Sequence, residues 1–203
     1  MRAFRFEKIG PLGRLLFAVS IAALGAEHLI WAGFGDPHSP LVRDFAFTPI
    51  IPFLPLLPIL VYLTGLALLL AGVCIAINQR PRLASVFLGV FFLVCVLVLD
   101  LPRVIAAPLD ISVRTGFFET LALGASALTL AGLLPAEPGD LFLRSAALRR
   151  LTQLGPVLFA ISSIVFGIDH FLILKGIAGL VPGWIPGPLF WAYFTGAGFV
   201  AAG

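Results

Sequence analysis

The chain has 203 residues, 60% hydrophobic and 11% charged, with 13 Lys and Arg against 10 Asp and Glu for a formal charge of +3. Soluble domains carry about 25% charged residues. This composition therefore excludes a disordered tail, a cytosolic enzyme domain, a disulfide-stapled secreted module and a nucleic-acid binder, each of which needs more polar surface.

At the N-terminus, Arg2, Arg5, Lys8 and Arg14 precede an apolar stretch and the small residues around Ala23 to Ala26, in imitation of a signal peptide. The same pattern recurs deep inside the chain, so we read it as a retained first helix. An apolar span of roughly 20 residues crosses the hydrocarbon core as a helix. Six such spans are expected, at about Leu12 to Phe34, Pro55 to Ile77, Leu83 to Leu101, Gly116 to Leu134, Leu154 to Leu174 and Pro188 to Gly203. Breaks fall at Gly35-Asp36-Pro37, at Asn78 to Pro81, at Asp100 with Pro102 and Pro108, at Pro135 to Gly139 and at Gly176 to Pro186. The fold class is thus all-α, a polytopic transmembrane helix bundle.

With the N-terminus inside, the inner segments hold Arg2, Arg5, Lys8, Arg14, Arg80, Arg82, Arg144, Arg149 and Arg150, against Arg43, Arg103, Arg114 and Lys175 outside. The excess of basic residues predicts a cytoplasmic N-terminus in a cell membrane. The last span has no basic or aromatic anchor beyond it, and we read the chain as a fragment.

An internal repeat is the most specific feature. At an offset of 142, Gly13 matches Gly155, Phe17 Phe159, Ser20 Ser162, Gly25 Gly167, Glu27 Asp169 and His28 His170. At an offset of 131, Pro55 matches Pro186, Tyr62 Tyr193, Thr64 Thr195, Gly65 Gly196 and Gly72 Gly203. Four spans separate the copies, so they point the same way and form a parallel repeat. A complete second copy would add two further helices after Gly203.

Glu27, His28, Asp169 and His170 stand toward the outer ends of the first and fifth spans, where ionisable groups face the bundle interior with a partner. Adjacent residues on a helix point about 100° apart, so repeat symmetry predicts a crossed pairing of Glu27 with His170 and Asp169 with His28. A His and a carboxylate can take protons from a reduced ring, which makes the four residues candidate catalytic groups of a quinol site. The alternative is a polar clamp that fixes helix packing. Asp100, Arg103, Arg114, Glu119 and Lys175 fall on the same outer side, with Arg103 and Glu119 as candidate contacts to a quinone ring or headgroup. Two His at matched depth could also hold a b-type haem, a weaker reading because nothing beside them is diagnostic. Cys74 and Cys95 lie inside apolar runs without metal-ligand spacing, and no metal site is expected. The proline-rich Thr48 to Pro58 is expected to lie extended against the helices at the outer interface, with Val181 to Pro188 as its counterpart.

Gly167-Ile168-Asp169-His170-Phe171, Val181-Pro182-Gly183-Trp184-Ile185-Pro186 and Trp191-Ala192-Tyr193-Phe194-Thr195-Gly196 together resemble the DoxX and DoxX-like membrane family. The first copy repeats the pattern more loosely as Gly25-Ala26-Glu27-His28-Leu29, Ile51 to Pro55 and Val61-Tyr62-Leu63-Thr64-Gly65. The resemblance implies a four-helix unit over residues 1–134, a cytoplasmic linker at 135–150 and the first half of a second unit at 151–203. It also implies a membrane subunit of a quinone-linked oxidoreductase, with quinone as cofactor and an oxidoreductase subunit as partner beside the lipid bilayer. Thiosulfate chemistry is not expected, since no sulfur-handling cysteine pair is present. A non-catalytic assembly or scaffold protein, and a small-solute transporter, are the other readings.

Overall fold

The computed structural model describes residues 9–34, 57–135 and 145–203, and every regular element among them is a helix. In chain order these are α1 (Ile9–Phe34), α2 (Leu57–Ala76), α3 (Pro81–Ala106), α4 (Ile111–Leu133), α5 (Ala146–Leu172), a short α6 (Leu174–Gly179) and α7 (Pro188–Ala202). Four of them, within α1, α3, α4 and α5, are long and apolar enough to cross a membrane; α7 and the described stretch Val61–Ala76 of α2 are apolar but shorter. The architecture is that of a multi-pass helical membrane protein. Helices follow because hydrocarbon offers backbone N–H and C=O groups no solvent partner, so each segment must bond to itself. Hydroxyls obey the same demand: Ser20, Ser85, Thr120, Ser126, Thr129 and Ser162 each donate to the carbonyl four residues back at 2.8 to 3.1 Å.

Helix boundaries depart from the sequence expectation in one instructive place. The third span does not stop at Asp100 and Pro102 but runs to Ala106, passing through a widened turn at Val96–Asp100 in which Leu101 N donates to Val96 O, five residues back. Proline has no N–H to donate and its ring crowds the carbonyl four residues earlier. One turn of π geometry absorbs that conflict without ending the helix. Similarly, α4 begins at Ile111 rather than Gly116, and α5 at Ala146 with Pro156 inside it. The expected extended segment at Thr48 to Pro58 falls almost wholly outside the described residues. Its counterpart near Val181 to Pro188 leaves Trp184 81% exposed, so that side chain covers no part of a site.

Contacts divide the chain into two compact units, residues 1–88 with 130–149 and residues 89–129 with 150–203. In the first, α1 and α2 form a hairpin whose backbones nearly touch. A Cβ added at Gly25 would stand 2.7 Å from Gly65 O, and one at Gly72 2.7 Å from Ala18 O. Ala18, Ile21, Leu68 and Ile75 are among the buried residues of this unit. At the opposite end of the hairpin from Glu27, Arg14 donates to Asn78 Oδ1 in the turn that follows α2. Asn78 itself takes a positive φ of 62°, a conformation Asn tolerates better than most residues.

The second unit repeats the hairpin with α5 and α7. A Cβ at Gly167 would stand 2.7 Å from Gly196 O, and one at Gly203 2.7 Å from Ala160 O. These four positions match Gly25, Gly65, Gly72 and Ala18 of the first copy, so the sequence repeat is a structural one down to individual backbone approaches. In addition, α5 packs on α4 in this unit: a Cβ at Gly155 would lie 2.6 Å from Thr129 N and 2.9 Å from Ala125 O. Such close small-residue crossings draw their stability from dispersion, because lipid removes the hydrophobic drive between helices.

Candidate functional site

Each acid and His pair sits near the C-terminal end of the first helix of its own hairpin, on α1 and on α5. His28 is 2% exposed, and its Nδ1 lies 2.8 Å from Leu24 O on its own helix. Its Cβ would be 2.9 Å from a Cβ at Gly65. The second copy reproduces this arrangement. His170 Nδ1 lies 2.7 Å from Phe166 O, its Cβ would be 2.8 Å from a Cβ at Gly196, and its ring centroid is 5.3 Å from that of Phe199. A carbonyl only accepts, so Nδ1 carries the proton and donates, and in a neutral ring Nε2 is then the acceptor.

The two carboxylates differ. Asp169 is 3% exposed and pairs with Arg114, while its other oxygen accepts from Thr115 Oγ1 at 3.2 Å. The same hydroxyl lies 2.8 Å from Ile111 O, so its single proton is shared between that carbonyl and the carboxylate. The cation that meets Asp169 is thus an arginine of its own unit, where the repeat symmetry led us to expect a histidine. Glu27 is only half-buried, and among the described residues it forms no ion pair. Asp100 lies buried in the widened turn of α3 with Arg103 Nη1 3.7 Å away, and Glu119 is exposed on α4. No group of three or more His, Cys, Asp or Glu among the described residues could hold a metal ion, and Cys74 and Cys95 are both free thiols.

No family model, no curated protein and no solved structure matches this chain. The functional reading therefore rests on the site itself.

Sequence reasoning placed Arg114 among the outer charges without giving it a partner, and did not single out Thr115. Opposite charges at the same depth were the available signal. What was missing was the face: only the packing of α4 on α5 shows that Arg114 and Asp169 point at one another. The glycines opposite the histidines were visible as repeat matches, but their role as the surface on which each His is seated was not.

Proposed function

We propose that this protein is a non-catalytic membrane scaffold, whose repeated acid and His residues serve helix packing so that a rigid face is offered to another membrane protein. One observation carries this reading: the bonds that the structure gives these groups are made within the fold, Asp169 to Arg114 and Thr115, and the Nδ1 atoms of His28 and His170 to carbonyls of their own helices. The expected outcome is that Asp169→Asn and His28→Ala lower folded yield but leave any redox turnover per folded molecule unchanged.

A second reading, favoured by the acceptor character of both Nε2 atoms, is a quinone-linked oxidoreductase subunit of the DoxX-like kind. In it the His rings would accept a quinol proton and Arg103 or Glu119 would touch the headgroup. Solvent extraction of gently purified protein, with mass spectrometry of released quinones, separates the two. No enrichment over bulk lipid supports the scaffold. Near-stoichiometric quinone in the wild type, lost from the folded fraction of Glu27→Gln/Asp169→Asn, overturns it in favour of the oxidoreductase subunit. The charge bias of the loops supports a cytoplasmic N-terminus and a cell-membrane location.

A further inference from the structure

We draw no further inference here: the strongest candidate, the side-chain cluster of Arg114, Thr115 and Asp169 between α4 and α5, belongs to the site already described.

Discussion

Asp169 shows how a single carboxylate can be affordable at membrane depth. Its charge is met by Arg114 and its second oxygen by Thr115, which leaves neither oxygen facing hydrocarbon. Arg114→Gln should strand that carboxylate and destabilise the fold by about 3 kcal/mol, whereas the double variant Arg114→Gln/Asp169→Asn should recover most of the loss. Unfolding in mild detergent measures both, and a double variant as damaged as the single one would show that the pair is not the cause. Asp110, outside the spans, caps α4 by accepting from Ser112 N at 2.9 Å and from the Ser112 hydroxyl, and those bonds to its ionised form hold its carboxyl below the usual range. The sign follows: the cap stabilises α4 above pH about 4, the unfolded carboxyl's range, and is lost as pH falls through the lower folded value. Asp110→Ala should remove that acid-side change in an acid titration of helix content and leave the rest of the profile alone. The charges themselves were legible in the sequence, but which charge met which was not.

Among the elements, the contrast between α1 and α5 is the sharpest test of packing. Gly155→Ala forces a methyl against the backbone of α4 and should cost about 2 kcal/mol by overpacking, while Gly13→Ala meets nothing and should be close to neutral. Melting temperatures of the two variants check this, and equal effects would contradict the difference in packing at the two glycines. Gly25→Ala and Gly167→Ala should both be damaging and by similar amounts, since each meets a glycine carbonyl 2.7 Å away. Helix existence followed from apolar run length alone, because lipid permits little else. Helix ends did not. Pro102 reads as a stop, yet a widened turn lets α3 continue to Ala106.

At the scale of the whole molecule, the loop charges predict which side each turn faces. With Cys74→Ala and Cys95→Ala as background, a membrane-impermeant thiol reagent added outside intact cells should label Leu109→Cys and not Gln79→Cys. The reverse pattern would invert the orientation. The helical class and the repeat followed from the order of residues, because the demand of hydrocarbon for self-satisfied backbone and the matching of Gly25, His28, Gly65 and Gly72 to Gly167, His170, Gly196 and Gly203 are local facts of sequence. The tertiary structure alone decided that Asp169 meets Arg114, that each His is seated on a glycine of the neighbouring helix, and that Gly155 of α5 packs against the backbone of α4. Side-chain pairing depends on which faces of two helices turn toward each other, and near-uniformly apolar spans leave almost no periodic signal from which that rotation can be read.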